Sequence, residues 1–196
     1  MIRRMLAGAG LAAVIAGGPP AQDHPSHVIT NGEIAARVYL PDAAAGFYRS
    51  TRFDWSGAIA SLTYRGHEYY GPWFTKIADI YDFGYEGPDE DVVSAEFTAM
   101  VGPAEEFGVV GDSDPVPGGL FVKPGIGVLR RADATPYNHS KPYEIANGGR
   151  WDVTRGRDSI AFTHTLNEPA IDFGYVYTKV LRLTRGKPQL TIAHVW

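Results

Sequence analysis

The sequence predicts an all-β sandwich. Apolar and polar residues alternate in short runs along most of the chain, and 23 glycines and 14 prolines punctuate those runs. No segment beyond residue 21 sustains the apolar spacing of a long helix. With 196 residues, 44% of them hydrophobic and 20% charged, the chain has the apolar content for one packed domain.

Taken in order, the first 21 residues read as an export signal: Arg3 and Arg4 form a basic start, Met5 to Ile15 an apolar stretch, and Ala16 or Pro20-Ala21 the cleavage region. The apolar run is too short to span a bilayer, so the expected location is periplasmic or secreted, with no membrane contact after signal removal. The chain has no cysteine, hence no lipid-anchor cysteine and no disulfide. Residues 22–30 read as a polar linker around Pro25, too extended to turn His24 and His27 into a metal site. Residues 31–196 are then the sandwich domain.

Within it, Glu33 to Leu40 alternates and ends at Pro41-Asp42. Phe53 to Gly71 reads as a β-hairpin turning at Arg65-Gly66, with Ala58, Ala60, Leu62 and Tyr64 on one face and Ile59, Ser61 and Thr63 on the other. Further strands are expected at Ser94 to Val101, Gly119 to Val122, Gly125 to Leu129, Arg150 to Thr154, Ser159 to Leu166, Tyr175 to Leu183 and Gln189 to Val195. His164 and His194 fall on apolar strand faces and read as hydrogen-bonded packing residues; His67 and His139 read as solvated turns.

Eighteen basic residues against 22 acidic ones give a net charge of −4, which supplies no electrostatic footprint for nucleic acid. The expected partner is a neutral or polar small molecule. No cofactor fingerprint is present: Gly125-Ile126-Gly127 lacks the third glycine and the helix of a dinucleotide loop. Asp89-Glu90-Asp91 and Asp112-Ser113-Asp114 read as acidic surface turns, so no metal is expected. The segment from Gly71 to Val92 carries Trp73 and other rings beside carboxylates. Such a mixture suits stacking on a sugar ring and binding its hydroxyls, or equally a plug over the end of the sandwich.

The run Gly57-Ala58-Ile59-Ala60-Ser61-Leu62 resembles the opening strand of the galactose mutarotase-like (aldose 1-epimerase-like) superfamily. Phe173 to Leu183 followed by Gln189-Leu190-Thr191-Ile192-Ala193-His194 resembles a later strand pair of the same superfamily. The resemblance implies a β-supersandwich that continues past Trp196, since the family's catalytic His and Glu have no counterpart in this chain. It implies carbohydrate binding, with epimerase-type isomerase activity only in a completed chain. The competing expectation is a non-catalytic structural or interaction sandwich of a polysaccharide-active protein. The residues expected to line a sugar site are Arg52, Asp54, Trp73, Glu106, Lys123 and Tyr143.

Overall fold

The computed structural model describes residues 24–70, 102–139 and 141–196. The expected strand at Ser94 to Val101, and the segment from Gly71 to Val92 with its Trp73, lie outside the described residues.

The architecture is all-β, and among the described residues every strand pairing is antiparallel. One four-stranded sheet runs β1 (Ser26–Thr30), β2 (Ile34–Tyr39), β3 (Ile59–Tyr64) and β4 (His67–Tyr70). A second, in the order β11, β10, β9, β8, comprises β8 (Arg150–Arg155), β9 (Ser159–Glu168), β10 (Phe173–Leu183) and β11 (Leu190–Val195). A three-stranded sheet joins β5 (Leu120–Lys123), β6 (Gly127–Arg130) and β7 (Glu144–Asn147). A single 3-10 turn, Pro169–Ile171, links β9 to β10.

Period-two patterning builds the main core. Ile34, Ala36 and Val38 of β2, with Ile29, Ile59 and Leu62, meet Ile160 and Phe162 of β9 and Leu181 and Leu183 of β10. These side chains are almost fully buried, each large one contributing about 1.5–3 kcal/mol. The three-stranded sheet is covered on both faces. Phe121 and Leu129 pack on Phe47, Tyr48 and Trp55, while Val122 and Val128 pack on Leu166.

Two expectations need correcting. Residues 26–30 are a strand in register with β2, not part of a linker. His24, read as tether, packs edge-on against Tyr39 and Phe47, and His27 Nε2 reaches the Gly156 carbonyl at 3.0 Å. In β1 only Ile29 is buried, so the strand has almost no apolar pattern of its own and forms because the β2 edge supplies its hydrogen bonds.

The hairpin is present, with Arg65 (φ 51°) and Gly66 (φ 78°) both left-handed at its turn, as a tight hairpin requires. Its faces differ from the alternation in the sequence. The β2–β3 ladder pairs Arg37 with Ser61 but Val38 with Ile59, leaving Ala60 as a bulge. That extra residue lets Ile59 and Leu62 face the same core.

Candidate functional site

Two charged clusters meet along the segment Glu105-Glu106-Phe107. The first is buried. Asp54 is held in place by its own backbone, whose N–H donates to the Glu105 carbonyl at 2.9 Å. Its carboxylate accepts from Ser56 N–H (3.0 Å), Ser56 Oγ (2.8 Å), Tyr177 Oη (2.8 Å) and Lys179 Nζ (3.1 Å). Lys179 also donates to the Ser56 carbonyl at 2.8 Å and contacts the Glu105 carboxylate. Side-chain exposure is 1% for Lys179 and 0% for Asp54, so both charges are desolvated and each depends on the other.

Strand β10 delivers these groups by alternation: Tyr177, Lys179, Leu181 and Leu183 all point inward. Two glycines make room for them. A Cβ on Gly57 (φ +75°) would lie 3.0 Å from the Leu181 side chain and 3.2 Å from Lys179 Cε; one on Gly125 (φ +78°) would lie 2.7 Å from Asp54 Oδ1.

The second cluster is partly open to solvent. Glu106 bridges Arg52 (Nε to Oε2, 2.9 Å) and Lys123 (Nζ to Oε1, 3.3 Å). Lys123 donates to the Phe107 carbonyl at 2.6 Å and lies 4.6 Å from the Tyr137 ring centre, a cation–π distance. Tyr137 in turn stacks on Tyr143. Burial on its own would raise the Glu106 carboxyl, but Arg52 and Lys123 outweigh it and hold the group below the ordinary carboxylate range.

Glu105 sits at the junction. Its burial is overcome by Lys179 and His194, so its pKa is lowered as well. His194 Nε2 lies 3.0 Å from Glu105 Oε2, so the ring donates its Nε2–H to the ionised carboxylate. Around the pair is an aromatic shelf. Trp196 stacks on Tyr177 with ring centres 4.4 Å apart, and Phe107 stands edge-on to Trp196 at 5.2 Å and to Tyr177 at 5.4 Å. Trp196 is 60% exposed. Burial, then the neighbouring Asp54 carboxylate, drives the Tyr177 phenol far above its ordinary value, fixing it as a donor.

Of the residues singled out from the sequence, Arg52, Glu106 and Lys123 are in direct contact. Tyr143 stands one ring behind them, its backbone N–H on Thr51 Oγ1 and its hydroxyl on Asn138 N–H. Asp54 belongs to the adjoining buried cluster, and Arg52 pairs with Glu106, leaving Asp54 to Lys179. Sequence reading missed Glu105, Phe107, Tyr177, Lys179, His194 and Trp196. A lysine at an inward position of an apolar alternation was the available signal for Lys179; His194 pairs with Glu105 across 89 positions, which no local pattern reveals.

His164 matches its expected packing role. Its Nε2 donates to the Gly148 carbonyl at 2.9 Å, so Nδ1 accepts from Tyr175 Oη at 2.8 Å, and Tyr175 Oη accepts from Gly125 N–H at 3.2 Å. Desolvation lowers the pKa of His164, keeping it neutral. Asp112, in the Asp112-Ser113-Asp114 turn, is ion-paired to Arg131.

No protein-family profile, curated protein sequence or solved structure matches the chain.

Proposed function

We propose that the face formed by Phe107, His194 and Trp196 over the buried Tyr177, edged by Glu105, recognises a carbohydrate. The observation that carries this reading is the Trp196 indole, backed by the buried Tyr177 and flanked by Phe107, with the ionised Glu105 carboxylate on His194 of the same strand end. A pyranose has an apolar face of C–H groups that stacks on such a ring, and equatorial hydroxyls that donate to carboxylates at its rim. Below the rim, the buried Asp54–Lys179 pair and the two tight glycines keep the acceptors in fixed positions, which lowers the ordering cost of binding. The mutarotase-like resemblance points the same way, and the leader sequence supports a periplasmic or secreted protein meeting sugars outside the cytoplasm.

A second reading, a non-catalytic interaction module, is favoured by one observation. Arg52, Glu106, Lys123, Lys179, Glu105 and His194 are all partnered within the protein, as a structural lattice of charges would be. Catalysis has less support: the Glu105–His194 pair is able to relay a proton, but Lys179 holds Glu105 ionised and so makes it a poor acid.

Titration calorimetry with a panel of neutral mono- and oligosaccharides tests the proposal. The expected result is saturable binding to the intact protein that weakens at least tenfold in Trp196→Ala, with thermal stability preserved. Failure of the whole panel to bind, or equal affinity in the variant, would transfer the face to the interaction-module reading.

A further inference from the structure

The opposite end of the β10–β11 ladder carries a different chemistry. Three turns from distant parts of the sequence are tied together there: β1–β2 (residues 31–33), β8–β9 (residues 156–158) and β10–β11 (residues 184–189). Thr30 N–H donates to the Arg157 carbonyl at 2.7 Å, and Leu183 N–H to the Asp158 carbonyl at 2.8 Å. Asn31 Nδ2 donates to the carbonyls of Thr184 (2.6 Å) and Lys187 (2.8 Å). These ties enclose a shallow cleft of about 410 Å³ lined by Thr30, Asn31, Arg157, Asp158 and Arg185.

Thr30 and Asn31 spend their side chains on the turn itself. Arg157 and Arg185 do not: both are exposed, and neither guanidinium makes a hydrogen bond or ion pair with the described residues. In a chain of net charge −4, two arginines with unengaged guanidinium groups among the residues lining one cleft stand out, and Asp158 is the one acidic residue of that lining. Arg155 and Lys187 add positive charge at the same end, against one further carboxylate, Glu33 of the β1–β2 turn. Guanidinium forks match the oxygens of sulfate, phosphate and carboxylate, and two of them on cross-tied turns need little reorganisation to close on one anion.

We infer that this cleft is a binding site for an oxyanion group, gripped between Arg157 and Arg185. The inference is independent of the aromatic face, which lies beside the other end of the β10–β11 ladder, where Thr178 at mid-strand pairs with Val195. The oxyanion is either a free ion or the sulfate of an acidic sugar, and the chemistry of recognition is the same for both.

The test is an NMR titration of the arginine Nε–Hε signals with inorganic sulfate, at ionic strength held constant with chloride. N-acetylglucosamine 6-sulfate and unsulfated N-acetylglucosamine form parallel arms. The expected result is saturable shifts at Arg157 and Arg185 with millimolar sulfate, accompanied by shifts at the backbone amides of Asn31 and Gly156; read at those amides, which the variant retains, binding is weakened at least tenfold in Arg157→Gln/Arg185→Gln. Removing the opposing charge in Asp158→Asn should tighten binding roughly threefold. Both arginines are exposed and Asp158 is half-buried, and matched melting temperatures confirm that the variants fold. Tighter binding of the sulfated sugar than of sulfate assigns the anion to a sugar substituent; equal binding assigns it to the free ion. Shifts that grow linearly without saturating, that chloride reproduces, or that survive in the double variant overturn the inference, as does a response to the unsulfated sugar equal to that of the sulfated one.

Discussion

Replacing Lys179 by Met tests the buried charge pair that underlies the aromatic face. Methionine retains most of the lysine stem but removes the ammonium that donates to Asp54 Oδ2, to the Ser56 carbonyl and to Glu105. Asp54, with 0% side-chain exposure, is then left as a buried carboxylate without its cation. Removing one partner of such a pair costs about 3–5 kcal/mol. Three donors remain on Asp54, from Ser56 N–H, Ser56 Oγ and Tyr177, which favours the lower end, about 3 kcal/mol. For a chain of this size that corresponds to a fall of roughly 6–12 °C in melting temperature. Urea unfolding followed by tryptophan fluorescence gives the free energy directly. Adding Asp54→Asn on the Lys179→Met background should recover about 1–3 kcal/mol relative to the sum of the single variants, because the two residues share one interaction. A loss below about 1 kcal/mol in the single variant, or strict additivity in the double, would refute the claim that the two charges stabilise each other.

Four further outcomes are expected. Glu105 and Glu106 have folded pKa values below the ordinary carboxyl value of 4.5, so their contribution is complete above that pH and disappears as pH falls through the lower folded values. His164, lowered from 6.5, acts in the same direction, since below pH 6.5 the unfolded chain binds its proton first. Melting temperature should therefore decline steadily from pH 6.5 to pH 3, and a flat or rising profile would contradict these assignments. Tyr175→Phe strips the donor from His164 Nδ1 and an acceptor from Gly125 N–H, costing about 1–3 kcal/mol by chemical denaturation; an unchanged midpoint would show that water replaces the hydroxyl. Gly125→Ala combines a left-handed backbone with a methyl 2.7 Å from Asp54 Oδ1, so it should cost more than the roughly 1 kcal/mol of the backbone term alone. N-terminal sequencing of protein from the expressing cell should find a start between Gly17 and Asp23, whereas an intact Met1 on soluble protein would dismiss the export signal.

The strands of the second sheet were legible because their signal is local. Ser159 to Leu166 and Tyr175 to Leu183 alternate cleanly, and the turns between them carry glycine and proline. Strands β1 and β7 were not, since each gains its order from a neighbour: β7 has no fully buried residue, and β1 has only Ile29. The bulge at Ala60 was equally hidden, because a single extra residue on one strand is defined only by the partner it slips against. In the site, Arg52, Glu106 and Lys123 were read as donors and acceptors on loops or strand ends, and the fold brings them within one ion-paired cluster. What the sequence hid was the role of residues 105–107 as a bridge. Alternation sends Glu105 to Lys179 and Glu106 to Arg52, and only the tertiary placement of β10 and β11 brings Lys179 and His194 to that segment.

The most direct test of carbohydrate recognition is an NMR map of the isotope-labelled protein titrated with a neutral sugar that the calorimetric panel identifies as a ligand, or with galactose and glucose otherwise. The account predicts saturable shifts centred on the Trp196 indole, Phe107, Tyr177 and His194, with smaller changes at Glu105 and Glu106 and none at Arg157 or Arg185. Saturating shifts centred on another surface, or no shifts at any of these four rings at high millimolar sugar, would contradict it.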